Sequence, residues 1–240
     1  MELTPAGVSF YNDIKEILTR TNIAISKAKH YALAFESNIS IGYEGNIEVK
    51  YLPNILSTFN EKFPHVHIYL KTADFKEKRN LFINHNFDLI FTVKESIDDI
   101  TDIGYAELFT SRFVCVLTKD HPLAHKNIIK IDDLNDQTLI LLDPLKCPSE
   151  TARIQKDIQL NCTSSMFYFG DGPLIGYTMI KGKLGIAVMP DFVCPEDPAL
   201  SIIPMEINDS ISYGIAWHKN NKQEHIKEFV NITKQIYKNL

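Results

Sequence analysis

Three short apolar runs, ISIGY (Ile39 to Tyr43), VHIYL (Val66 to Leu70) and FDLIFTV (Phe87 to Val93), alternate with two segments of different rhythm. In those segments, Ile47 to Phe63 and Phe75 to His85, apolar residues recur every three or four positions. A period of two marks a strand and one of about 3.6 a helix, so the order is strand, helix, strand, helix, strand. Asn46 can cap the first helix and Pro64 stops it. Short connections of this kind imply a mostly parallel sheet with helices on its faces and ligands at the C-terminal strand ends. Few other fold classes are open to a chain with this pattern.

A second set follows. Phe113 to Thr118, Thr138 to Asp143 (TLILLD), Met166 to Phe169 and Leu184 to Pro190 read as strands, with helices at Ser149 to Gln159 and Leu174 to Lys181. The strand Ser212 to Trp217 and the helix Glu224 to Leu240 close the chain, while Lys119 to Ile131 and Cys194 to Ser201 read as loops. Two α/β halves, hinged and close together, are expected.

Ahead of them lies a stretch of another kind. Thr4 and Pro5 mark a helix start, and Phe10, Ile14, Ile17, Thr21, Ala24, Ala28, Tyr31 and Phe35 then form an unbroken heptad seam. A helix of about 30 residues spans roughly 45 Å, more than one small domain covers. The seam is therefore expected to pair with another chain; wrapping its own domain is the alternative.

Composition narrows the function. With 240 residues, 45% of them hydrophobic, the chain can build real cores, and a net charge of -5 argues against direct phosphate neutralisation on a nucleic acid. Met1 is followed by Glu2 without a basic and apolar leader, and no apolar run approaches the roughly 20 residues of a membrane span, which points to a cytoplasmic protein. Cys115, Cys147, Cys162 and Cys194 form no CxxC pair, as isolated reduced thiols do not. His65 and His67 share one strand face without a third ligand, and Leu184 stands where a phosphate loop ending in Lys183 needs a hydroxyl. No catalytic motif, metal set or cofactor signature is found, and no enzyme activity is expected.

Several stretches then fall into one order. Leu3-Thr-Pro-Ala-Gly7 with Phe10-Tyr11, Leu52-Pro53, Phe63-Pro64-His65-Val66, Phe87-Asp88-Leu89-Ile90, His121-Pro122-Leu123-Ala124 and Gly182 to Pro190 (GKLGIAVMP) resemble, in sequence, the LysR-type transcriptional regulators. The resemblance covers nearly the whole chain. It implies two Rossmann-like lobes of periplasmic-binding-protein type 2, residues 36–112 with 212–240 and residues 113–211, preceded by a linker helix over residues 4–35. It also implies a small-molecule effector in the cleft, assembly as a homodimer or tetramer through Phe10, Ile14, Ile17, Thr21, Ala24, Ala28 and Tyr31, and DNA contact only through a domain that would precede Leu3. The chain is thus expected to be part of a longer regulator.

By the same resemblance the effector would meet Tyr43, Glu44, Gly45, Asn46, Thr92, the loop Asp143, Lys146, Cys147, Pro148 and Ser149, and Phe169, Gly170 and Asp171. Glu44 to Asn46 precede a helix, whose free N–H groups can hold an anion. Glu44, Asp143 and Asp171 would repel one, which leaves the effector's charge open. Two alternatives stand beside this reading. Cys147 lies where peroxide-sensing members of the family carry a reactive thiol, and a stand-alone solute-binding protein shares the two-lobed fold.

Overall fold

The computed structural model describes residues 36–45, 48–194 and 196–238, with ten positions of the leading segment between Thr4 and Ile25. Asn46, Ala28 and Tyr31 lie outside the described residues.

In the first lobe β1 (Ser37–Tyr43) lies between β2 (Val66–Thr72) and β3 (Leu89–Val93), all parallel. Every residue of β3 (LIFTV) is buried, as befits a strand covered on both faces. Asp88 sits just outside it and turns back, accepting from the Ser40 backbone N–H at 2.8 Å and from the Ser40 hydroxyl at 2.6 Å, which fixes β3 against β1. Helix α1 (Glu48–Lys62) follows β1, and α2 (Phe75–Ile83) follows β2. Leu52, Ile55 and Phe59 form the buried stripe of α1, three and four residues apart.

In the second lobe β5 (Thr138–Leu142) lies between β6 (Met166–Gly170) and β7 (Ile186–Pro190), again parallel. Helix α3 (Ser149–Asn161) joins β5 to β6, and α4 (Pro173–Lys181) joins β6 to β7.

Two antiparallel strands connect the lobes. The strand β4 (Ile103–Thr118) is 16 residues long; its first part pairs with β9 (Ser210–His218), from Ile103 opposite His218 to Arg112 opposite Ser210. From Phe113 onward it pairs with β7, and from Val114 also with β8 (Leu200–Pro204). Sequence patterning marks β4 only from Phe113, because Glu107, Thr110, Ser111 and Arg112 interrupt the apolar rhythm before it. It also misses β8, whose first two residues were assigned to a loop. The register slips between Glu107 and Phe109, a bulge of the kind that adds twist to a strand. β9 pairs on its other side with β3. Helix α5 (Glu224–Lys238) then returns to α1: the Phe59 and Phe229 rings meet edge to face at 5.2 Å, and Lys62 bonds Glu228 at 2.5 Å.

In the leading segment every described position from Gly7 to Ile25 is helical, and the Thr4 hydroxyl accepts from the Gly7 backbone N–H at 3.2 Å. Phe10 is 68% exposed and Ile17 56%; Thr21 and Ala24 are also exposed, and Ile14 is half-buried. Thr21 satisfies its hydroxyl on the Ile17 carbonyl at 2.8 Å. Tyr11, Leu18 and Ile25, off the seam, are exposed as well.

Gly214 of β9 has no side chain because none fits: a Cβ there would collide with the Ala106 carbonyl and lie 2.6 Å from the Tyr105 ring. Gly214→Ala should therefore force β9 from β4 and lower stability by about 1–3 kcal/mol in chemical denaturation.

Candidate functional site

The C-terminal ends of β1, β2 and β3 face those of β5, β6 and β7 across a cavity of about 620 Å³. From the first lobe it is lined by Glu44 and Gly45 after β1, Thr72, Ala73 and Asp74 at the end of β2, Phe75 and Glu77 of α2, and Val93. From the second come Leu142, Lys146 and Pro148 after β5, Thr151 and Gln155 of α3, Gly170 to Gly172, Leu174 to Gly176 of α4, and Met189 and Pro190. Phe192, Val193 and Ile211 close it where the lobes join. There an aromatic group packs, with Phe109 on Tyr213 at 5.3 Å and Phe192 on Tyr213 at 4.8 Å.

A chain of buried polar contacts runs from that junction to the cavity wall. The Tyr213 hydroxyl donates to Glu48, whose side chain is buried at the start of α1. The same Glu48 oxygen accepts from the Glu44 backbone N–H at 3.3 Å. Lys78, fully buried on α2, donates to the Glu44 carboxylate at 2.9 Å and lies 4.8 Å from the Phe75 ring centre. Burial pushes the Glu44 carboxyl above its usual 4.5, the Lys78 ammonium pulls it back, and Glu48 and Asp74 add like-charge repulsion.

On the opposite wall Lys146 bonds Asp171 at 3.0 Å. The Gln155 amide, oriented by its hydrogen bonds, pairs with the backbone of Leu142 through its N–H at 3.0 Å and its oxygen at 2.9 Å. It holds the end of β5 against α3.

Of the residues expected at the cleft, Glu44, Gly45, Lys146, Pro148, Gly170 and Asp171 do line the cavity. Others stand elsewhere. Thr92 is buried within β3 while its neighbour Val93 reaches the cavity, as alternation along a strand requires. Tyr43 packs on the core, Phe169 alternates away from Gly170, and Ser149 is exposed. Asp143 accepts from the Leu145 N–H at 2.9 Å and so closes its own turn. Thr72, Ala73, Asp74, Phe75, Glu77, Gln155 and Met189 line the cavity without having been expected there. The strand-end rule applied equally to β2 and β7 would have found Thr72 and Met189.

Cys147 does not line the cavity either. Burial, with Glu95 and Asp143 nearby, pushes its thiol up to about 12, the reverse of what a reactive thiolate needs. Cys162 stands at the other end of α3, whose 13 residues span about 20 Å, so a disulfide between them would require that helix to unfold. Among the described residues no cluster of three His, Cys, Asp or Glu side chains is placed to hold a metal, and no helix is long and apolar enough to cross a membrane.

Two lobes joined by paired strands, with a cavity between them, define a ligand-binding domain of the type 2 periplasmic-binding-like kind. The model of the LysR substrate binding domain matches residues 35–237, and the chain belongs to that family. Over 143 residues, 59% of this chain, it is 26% identical to the transcriptional dual regulator GltC of Bacillus subtilis, a match covering 47% of that protein. The HTH-type transcriptional regulator AlsR of the same organism is 25% identical over 97% of this chain and 78% of its own length. The chain thus spans about half to three quarters of these relatives. In fold it is similar to the regulatory domain of Synechocystis PCC6803 CcmR in complex with 2-PG, with a TM-score of 0.69, 20% identity, and coverage of 85% of this chain and 99% of that one.

Replacing Lys78 by Met leaves Glu44 buried beside Glu48 without its ammonium, which should cost about 3–5 kcal/mol at pH 7. A carboxyl whose folded value lies above the unfolded one lends stability that is present below the unfolded value and lost as pH rises through the folded one. Without Lys78 the folded value rises further. The deficit against the parent, followed by urea titration, should therefore shrink as pH falls from 7 towards 4.5; a deficit constant over that range refutes the pairing.

Proposed function

We propose that this chain is the effector-sensing and oligomerising region of a LysR-type regulator, in which a small metabolite closes the interlobe cleft and so alters how attached DNA-binding domains are held. The observation that carries this reading is the cavity itself, walled by the strand ends of both lobes and floored by the strands that hinge them. The lobes on this reading are residues 36–112 with 212–240, and 113–211, since Arg112 still pairs with β9 while Phe113 pairs with β7. A ligand touching both walls favours the closed arrangement by its difference in affinity for the two states. CcmR, with 2-PG in a domain of the same fold, supports a small organic effector here.

The exposed seam supports pairing of the leading helix with a second copy in a homodimer or tetramer, a role that a stand-alone solute-binding protein has no use for. Introducing charge at Phe10 and Ile17 together (Phe10→Glu, Ile17→Glu) should reduce the mass measured by light scattering towards that of one chain. An unaltered oligomer would remove the helix from the interface.

Effector binding is tested by thermal shift against a metabolite panel. At a concentration of about 100 times its Kd an effector should add about 2.7 kcal/mol of stability. Peroxide, by contrast, should leave the Cys147 thiol titratable. Loss of that thiol with no compound stabilising the chain would transfer the sensing role to Cys147.

A further inference from the structure

The charge of the cavity wall bears on what the cleft takes. Four helices, α1 to α4, begin at this cavity, and a helix start is where a fold most readily holds a ligand anion. In three of them the protein's own carboxylates already stand there. Buried Glu48 lies in the first turn of α1 and bonds the Glu44 N–H, with the Glu44 carboxylate beside it on Lys78. Asp74 caps α2, accepting from the Glu77 N–H at 2.8 Å. Glu150 stands in the first turn of α3, and Glu95 of the first lobe lies close enough to repel it. Neither α3 nor α4 has a side-chain cap; α4 starts at Gly172, with Asp171 immediately before it.

Cations give an anion no better purchase. Among the described lining residues the carboxylates are Glu44, Asp74, Glu77 and Asp171, and the one cation is Lys146, which is bound to Asp171. Lys78 and Lys71, just behind the wall, are bound to Glu44 and Glu77. The rest of the lining is largely apolar, with Leu142, Ile175, Met189 and Phe192 on the second-lobe side. With Glu44, Glu77 and Asp171 each paired to a lysine, Asp74 leaves the wall with an excess of negative charge, which disfavours an entering carboxylate or phosphate and favours a protonated amine.

Resting on the reading of this cavity as the effector site, we propose that the effector presents a cation to it: a protonated amine carried on a small apolar body. The cavity is the site, and the carboxylates around it set the sign of the ligand it accepts.

The test uses the chain as it is, with two sets of probes of equal carbon count and different head groups: benzylamine, benzyl alcohol and benzoate, and butane-1,4-diamine, butane-1,4-diol and butanedioate. Calorimetry and thermal shift should show an amine binding at least about ten-fold more tightly than its carboxylate counterpart in one set or both. Asp171→Asn, which removes one carboxylate and releases Lys146, should narrow or reverse that preference. Asp74→Asn should weaken the amine while keeping the α2 cap, since asparagine caps as well as aspartate. Leu174→Trp, at a side chain 74% exposed on the cavity rim, serves to locate binding by occlusion. A carboxylate that binds more tightly than its amine and is lost in Leu174→Trp overturns the cationic effector but leaves the cleft as the effector site. Binding untouched by Leu174→Trp, or no binding by any probe, overturns both.

Discussion

One unbroken strand makes this molecule a two-lobed protein instead of two domains in series. β4 pairs with β9 in the first sheet up to Arg112 and with β7 in the second from Phe113, with no loop between. Backbone hydrogen bonding is therefore continuous through the junction. The bulge near Leu108, the collar of Phe109, Phe192 and Tyr213, and Gly214 where side-chain space vanishes all gather at this crossing. They give the hinge a packed and specific resting shape.

The same crossing is wired to the cleft. Tyr213 belongs to β9, yet its hydroxyl bonds Glu48 at the start of α1, and from there the contacts run to Glu44 and Lys78. A side chain on the hinge and a side chain on the cavity wall thus share one buried polar chain, in surroundings where a broken contact is costly. Anything that moves Glu44 disturbs the environment of Tyr213. This link is made of contacts within a few ångströms of each other.

Much of this was legible beforehand. The runs ISIGY, VHIYL and TLILLD became β1, β2 and β5 because short apolar segments between capped helices have few other fates. Glu44, Gly45, Lys146, Pro148, Gly170 and Asp171 reach the cavity because they lie at or after strand ends. Thr92 and Phe169 do not line the cavity, because a strand end names a pair of residues and only the pleat decides which one faces inward. Lys78 gave no signal at all: on α2 its sequence neighbours Lys76, Glu77 and Arg79 resemble an ordinary solvated face, and only the approach of β1 turns it into a buried partner for Glu44. The part of β4 from Ile103 to Arg112 stayed hidden because polar residues such as Glu107, Ser111 and Arg112 break the apolar rhythm.

Periodicity and punctuation in the chain were enough to determine an α/β fold with two halves, a leading heptad helix and a cleft at the strand ends, because these follow from local conformational preference and one-sided burial. Tertiary structure alone decided which carboxylates meet which lysines and where β4 passes between sheets. Those outcomes rest on contacts between residues far apart in sequence, Glu48 with Tyr213 and Glu44 with Lys78, and no local preference encodes them.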